Sequence, residues 1–201
     1  MERRITEIAL HWLGEVSSFD FVGVYGVEEV KRWHLDMGYI DVGYHWFVDR
    51  RGMMYAGRSE SIQGAHVYGH NRNTLGVCVM YGTQDKEVTQ ETLNALIDLL
   101  ASICMKYKLD PQKAIKGHSD YLPTMCPGIL YRHLGFIRDR VALKILGEPP
   151  RANIRTSEGI IDGLIINNRV YAPIGDLPKV LPVKVSWENH TKTAFLDWKR
   201  S

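Results

Sequence analysis

The sequence lacks several features that would place the protein in a specialised class. It has no run approaching the roughly 20 apolar residues of a membrane span, and its beginning, MERRITEIALHW, holds no apolar segment of signal-peptide length. Its 3 cysteines are odd in number and too few for a disulfide framework. We therefore expect a protein made in the reducing cytoplasm without a signal peptide.

Charge of one sign is also not in excess. Lys and Arg number 25 against 23 Asp and Glu, and the resulting net charge of +2 argues against a nucleic-acid partner. The chain shows no internal repeat and no low-complexity tract. Its 201 residues are 45% hydrophobic, which is enough for the core of one ordinary domain with a small second module.

Apolar runs predict the strands of a mixed sheet. EIALH at residues 7–11 indicates a short buried strand, and TLGVCVMYG at 74–82 is a continuous apolar run typical of a central strand that is buried on both faces. Two apolar runs around DRRG predict a hairpin within residues 43–57.

Helices are predicted between these strands. Apolar residues at helical spacing indicate a helix over 27–38, a longer one from an N-cap at Thr89 to Tyr107, and a third over 130–141. Strands and helices thus intermix, and we expect an α/β domain over residues 1–146, with a central mixed β-sheet flanked by helices.

The end of the chain has a different pattern. GEPPRAN begins a Pro-rich break, which predicts a linker over residues 147–155. Alternating apolar runs then predict a small β-rich module over 156–201. This module resembles the N-terminal-like domain of copper amine oxidases and of many Gram-positive surface proteins. The resemblance implies no copper chemistry, because it reaches no active site, and we expect a role in wall binding or oligomerisation.

The segment GHSDYLPTMCPG at residues 117–128 concentrates groups that bind metals. His118 and Cys126 lie on one loop, and both residue types are zinc ligands. A catalytic zinc site needs a third ligand, and His11 is a candidate because it ends a buried strand whose backbone is held rigidly. The alternative for Cys126 is a buried structural thiol, the role expected of the other two cysteines.

Two further patterns bear on the site. His34 lies on the apolar face of its predicted helix, so we expect a packing residue. Tyr44 and His45 are neighbours in a predicted strand, and because strand neighbours point to opposite faces, only one of them can face the site.

Four blocks of sequence, in one order, resemble the zinc-dependent N-acetylmuramoyl-L-alanine amidases, which include the phage lysozyme-type amidases and the peptidoglycan recognition proteins. The blocks are IALHW (8–12), WHLDMGYIDVGYHWFVDRRG (33–52), AGRSESIQGAHVYGHNRNTLGV (56–77) and GHSDYLPTMCPG. The resemblance implies the fold of this family, one zinc ion per chain, and hydrolysis of the amide bond between N-acetylmuramic acid and L-alanine in peptidoglycan.

The resemblance also implies roles for individual residues. Zinc would be held by His11, His118 and Cys126, with Tyr44 as the polar partner of the reacting centre. Thr124 stands where the phage lysozyme-type amidases usually have Lys, as it does in the amidase-active recognition proteins. A neutral hydroxyl would then assist the oxyanion in place of an ammonium group.

Substrate contacts are expected from three more residues near or within these blocks: Trp12, His66 and Asn73. The expected partner is peptidoglycan, and the expected role is that of a phage endolysin acting on the bacterial cell wall. Two alternatives stay open. A non-catalytic peptidoglycan-binding protein would not need three metal ligands, and a phage regulator that binds a polymerase is disfavoured by the short segment before His11.

Overall fold

The computed structural model describes residues 3–147 and, beyond them, five separate strands. The chain forms two compact units, Met1–Ile145 and Leu146–Ser201. Among the described residues, no helix combines the length and the apolar character that crossing a membrane requires.

A five-stranded sheet forms the centre of the first unit. Its strands are β1 Glu7–His11, β2 Trp46–Val48, β3 Met54–Ala56, β4 Thr74–Val79 and β5 Ile115–Gly117. The strand order is β3-β2-β4-β1-β5. β1 runs parallel to both β4 and β5, and β2 runs parallel to β4, whereas β2 and β3 form an antiparallel hairpin. The predicted strands and the mixed sheet are confirmed.

Helices surround this sheet. They are α1 Gly23–Asp36, α2 Gln90–Tyr107, α3 Pro111–Ala114 and α4 Leu134–Leu146. The predicted start of α2 is confirmed, because the side chain of Thr89 accepts a hydrogen bond from the backbone N–H of Thr92.

Two helix boundaries differ from the prediction. α1 begins at Gly23, earlier than expected. The sequence did not indicate this start because Val22, at the N-cap, makes no side-chain hydrogen bond, so no capping pattern is present there. The apolar stripe that starts at Leu130 belongs first to a 3-10 helix, Gly128–His133, and only afterwards to α4.

The core packs on both faces of the sheet. Neighbouring strand residues point to opposite faces. Val77 of β4 therefore packs with α2 and α4, whereas Cys78 packs with Val27 and Val30 of α1. The result is a three-layer α/β/α domain, and Cys78 and Cys104 are buried within it, as expected.

The second unit is described at the level of its strands. They are β6 Arg151–Thr156, β7 Gly159–Ile166, β8 Arg169–Tyr171, β9 Val183–Glu188 and β10 Thr193–Trp198. The first three form one antiparallel sheet, and the last two form an antiparallel pair. The unit is β-rich as predicted, but β6 begins inside the segment predicted as a linker. The resemblance to the copper amine oxidase module covers residues of about 160–198, of which 172–182 lie outside the described residues, and it stays a prediction.

Candidate metal centre

The parallel pairing of β1 and β5 brings two histidines together. His11 is the last residue of β1, and His118 directly follows β5. Leu10 pairs with Gly117 in this register, so the next residue of each strand emerges at the same edge of the sheet. The ring centroids of His11 and His118 are consequently 4.6 Å apart.

The loop after His118 returns Cys126 to the same point. The backbone N–H of Ser119 donates to the carbonyl of Cys126 at 2.9 Å, which closes the loop. The sulfur of Cys126 then lies 3.6 Å from Nδ1 of His11. One ligand atom from each of His11, His118 and Cys126 lies within 4.8 Å of the other two.

This donor set fits a zinc ion. Two imidazoles and one thiolate are ligands that zinc favours, and three protein ligands leave a fourth position open. A tetrahedral ion with ordinary Zn–N and Zn–S bonds requires about 3.5 Å between nitrogen and sulfur. The distance from Nδ1 of His11 to the sulfur of Cys126 is 3.6 Å.

Burial sets the protonation of these groups in the metal-free protein. It lowers the pKa of His11 well below its ordinary value and also lowers the pKa of His118. It raises the pKa of the Cys126 thiol to about 12, partly opposed by the backbone N–H of Trp12. Both imidazoles are therefore neutral with free lone pairs, whereas a cation must displace the thiol proton in order to bind.

Tyr44 lies against the ligand cluster. Its half-buried ring is 5.0 Å from that of His11 and 5.3 Å from that of His34, measured between centroids. Burial raises the pKa of Tyr44 well above its ordinary value, so the phenol keeps its proton and can donate it in a hydrogen bond.

The rings of His45 and His34, close to Tyr44 in the fold, each accept a hydrogen bond from a backbone N–H. Nδ1 of His45 accepts a hydrogen bond from the backbone N–H of Gly76 at 2.9 Å, on the sheet side. Nδ1 of His34 accepts from the backbone N–H of Gly43 at 2.9 Å. Both rings are buried, and His34 is a packing residue as predicted.

Thr124 makes a hydrogen bond within the loop that carries Cys126. Its side-chain oxygen accepts a hydrogen bond from the backbone N–H of Cys126 at 3.2 Å. Thr124 is exposed, and a hydroxyl that accepts one hydrogen bond can still donate its own proton. The role of Thr124 at the oxyanion stays a prediction.

Trp12 packs under the same loop. A Cβ atom placed on Gly128 would lie 2.2 Å from the Trp12 ring, so only glycine permits this contact. The ring is half-buried. A contact between Trp12 and substrate stays a prediction.

His66 and Asn73 occupy different places in the fold, and a substrate contact of either residue stays a prediction. His66 is buried behind His11, and its Nδ1 is 3.1 Å from Nε2 of His11. Burial, with a smaller contribution from His45, lowers the pKa of His66 to about 3. Asn73 is exposed and precedes β4, where its carbonyl accepts from the backbone N–H of Thr6 at the opposite edge of the sheet.

Sequence reasoning missed the groups that anchor the loop. Asp120 accepts a hydrogen bond from the backbone N–H of Gly117 at 2.9 Å and one from the Tyr131 hydroxyl at 2.6 Å. The Tyr121 hydroxyl donates to Glu7 at 2.9 Å. Asp120 is the third residue of a short 3-10 helix that begins at His118, and an acidic residue at this position is part of the capping pattern that could have identified it.

A cavity of about 940 Å³ lies away from this cluster. Its lining includes Arg4, Glu7, Lys106 and Lys113, and none of the three candidate ligands. The three candidate ligands lie instead at the edge of the sheet where β1 and β5 end.

Sequence comparison with known proteins shows the family to which the chain belongs. The model of the family "N-acetylmuramoyl-L-alanine amidase" matches residues 2–129. The endolysin of Enterobacteria phage T3 is 36% identical over 107 residues, which cover 51% of this chain and 69% of the endolysin.

Two solved structures share the fold. The amidase LysC from Clostridium intestinale superposes with a TM-score of 0.57 at 23% identity, covering 66% of this chain and 84% of that one. Drosophila PGRP-LB superposes with a TM-score of 0.57 at 23% identity, covering 64% of this chain and 77% of its own. These matches confirm the predicted fold class. The chain therefore belongs to the N-acetylmuramoyl-L-alanine amidase family and is an enzyme of that kind, an amidase.

Proposed function

We propose that the protein hydrolyses the amide bond between N-acetylmuramic acid and L-alanine in peptidoglycan, with one zinc ion held by His11, His118 and Cys126. The observation that carries this proposal is the convergence of these three donors within 4.8 Å at one edge of the sheet, in a chain of the amidase family. When bound, zinc supplies Lewis acidity and an activated water for attack on the amide.

The protein's own groups orient the reacting amide. The neutral phenol of Tyr44, packed against His11, donates a hydrogen bond to the oxygen that gains charge during attack. The Thr124 hydroxyl, two residues before Cys126, donates to the same oxygen. Both donors are uncharged, so neither supplies the field that a Lys ammonium group would.

The biological role that we propose is that of an endolysin acting on the bacterial cell wall. The endolysins of phages T3 and T7 are each 36% identical to this chain over 107 residues.

The proposal is tested on washed peptidoglycan from a Gram-positive bacterium. The protein is incubated with it as purified, after chelation, and after zinc is added back, and newly exposed L-alanine amino groups are counted. We expect release that disappears on chelation and returns with zinc.

Two cysteine variants provide the matched comparison. Cys126→Ala should lose both zinc binding and release, whereas Cys104→Ala, which changes a buried cysteine of the helical core, should retain both. If the zinc-loaded protein sediments with the wall but exposes no L-alanine termini, the protein is a wall-binding module and the amidase proposal is wrong.

A further inference from the structure

The two ring nitrogens of His11 face different partners. Nδ1 lies 3.6 Å from the sulfur of Cys126, on the side of the candidate metal position. Nε2 lies 3.1 Å from Nδ1 of His66, on the buried side. Only a neutral ring whose proton is on Nε2 presents a lone pair at Nδ1 for a metal.

The direction of the hydrogen bonds that link His11, His66 and Thr74 follows from the last acceptor, the backbone carbonyl of His70. The backbone carbonyl of His70 can only accept, so the Thr74 hydroxyl donates to it, at 2.9 Å. The Thr74 oxygen is then left with lone pairs for Nε2 of His66, 3.4 Å away. His66 therefore carries its proton on Nε2, and its Nδ1 is an acceptor for the N–H of His11.

The backbone holds the His66 ring in this orientation. A Cβ atom on Gly76 would lie 2.6 Å from Cγ of His66, and one on Gly64 would lie 2.6 Å from its Cδ2. Because Gly64 and Gly76 have no side chains, the His66 ring fits between β4 and the loop that precedes it. His66 is 8% exposed, so its ring is largely shielded from water.

We propose that His66 is a positioning residue that sets the tautomer of His11. By accepting the Nε2 proton of His11, His66 keeps the Nδ1 lone pair directed at the metal position. The identity of the metal rests on the proposed function. Metal-bound histidines usually donate to a carboxylate, a carbonyl or water, and loss of such a partner costs about 10- to 100-fold in metal affinity.

Two variants of nearly equal shape test this role. His66→Asn places a carbonyl oxygen where the ring has Nδ1, whereas His66→Leu offers no acceptor. We expect His66→Leu to weaken zinc binding about 10- to 100-fold in competition with a chelator. His66→Asn should keep most of the zinc affinity of the unmodified protein. Equal losses in two folded variants, or no loss in either, would overturn the proposal.

The tautomer itself is measured on the unmodified protein. Long-range ¹H–¹⁵N correlation spectra of the metal-free protein should show the proton of His11 on Nε2, and a proton on Nδ1 contradicts the inference even if neither variant folds. Zinc titration of the same sample separates the two proposals. A protein that binds no zinc contradicts the proposed function, whereas the tautomer in the metal-free state decides the role of His66.

Discussion

His45 makes the stability of the first unit depend on pH. Its ring is buried, and both nitrogens are used in the neutral form: Nδ1 accepts from the N–H of Gly76, and Nε2 lies 3.1 Å from the carbonyl of Ile62. Burial lowers the pKa of His45 from 6.5 to about 4. The Arg3 guanidinium, 3.2 Å from Nε2, adds to this effect, and the carbonyl of Ile62 opposes it.

The sign and size of the effect follow from this pKa. Between pH 6.5 and about pH 4, the unfolded chain binds a proton at His45 that the folded protein excludes. The folded state is therefore penalised as pH falls through this window, and the penalty is absent above it. Lowering the pH from about 7.5 to about 4.5 should reduce the free energy of unfolding by about 2.5 kcal/mol through this group alone.

Urea unfolding at the two pH values measures this loss. Far-UV circular dichroism is a suitable signal because the helices of the described residues all lie before residue 147. The protein is kept metal-free, since zinc release is itself pH-dependent. Carboxylates titrate in every variant. The quantity compared between variants is therefore the decrease in the free energy of unfolding from the higher to the lower pH, not the free energy at one pH.

The decisive comparison is between the unmodified protein and His45→Gln. The variant should lose about 2.5 kcal/mol less than the unmodified protein between the two pH values. His70→Gln, which removes an exposed imidazole, controls for the substitution. Equal losses in the unmodified protein and in His45→Gln refute the reasoning.

Three further predictions concern the site, the core and the loop. Tyr44→Phe should lower amidase turnover about 10²- to 10³-fold and leave zinc affinity, measured by chelator competition, unchanged. Leu100→Ala, at a residue 0% exposed in the core, should lower the free energy of unfolding by about 2–5 kcal/mol in urea, whereas the exposed Leu35→Ala should cost far less. Gly128→Ala places a Cβ atom at φ +58 and 2.2 Å from the Trp12 ring. We expect it to lower the free energy of unfolding by about 1–3 kcal/mol and to weaken zinc binding. Unchanged zinc binding would contradict the close packing of Gly128 on Trp12.

Much of the fold was predictable because local patterns and tertiary packing agree. β4 is buried on both faces, and a strand in that position is a continuous apolar run. α2 has a Thr cap and a regular apolar stripe, and its start was predicted to the residue. The start of α1 was not predictable, because Val22 satisfies no backbone N–H with its side chain.

The three candidate ligands could be named from the sequence for a different reason. His118 and Cys126 share one loop, and the end of a buried strand is a rigid position for His11. Their use as a set came from the resemblance of four blocks in one order. The structure adds the physical cause, which is the parallel register that pairs Leu10 with Gly117 and so places the two histidines side by side.

Within one block of the sequence, only the tertiary structure separated His66 from Asn73. β1 rises about 13 Å from Glu7 to His11, and Asn73 lies beside its start, whereas His66 lies behind its end. Sequence by itself determined which residue types could bind a metal and which segments would form strands and helices. The tertiary structure alone decided which nitrogen of His11 faces the sulfur of Cys126 and which faces His66, because these contacts join residues brought together only by packing.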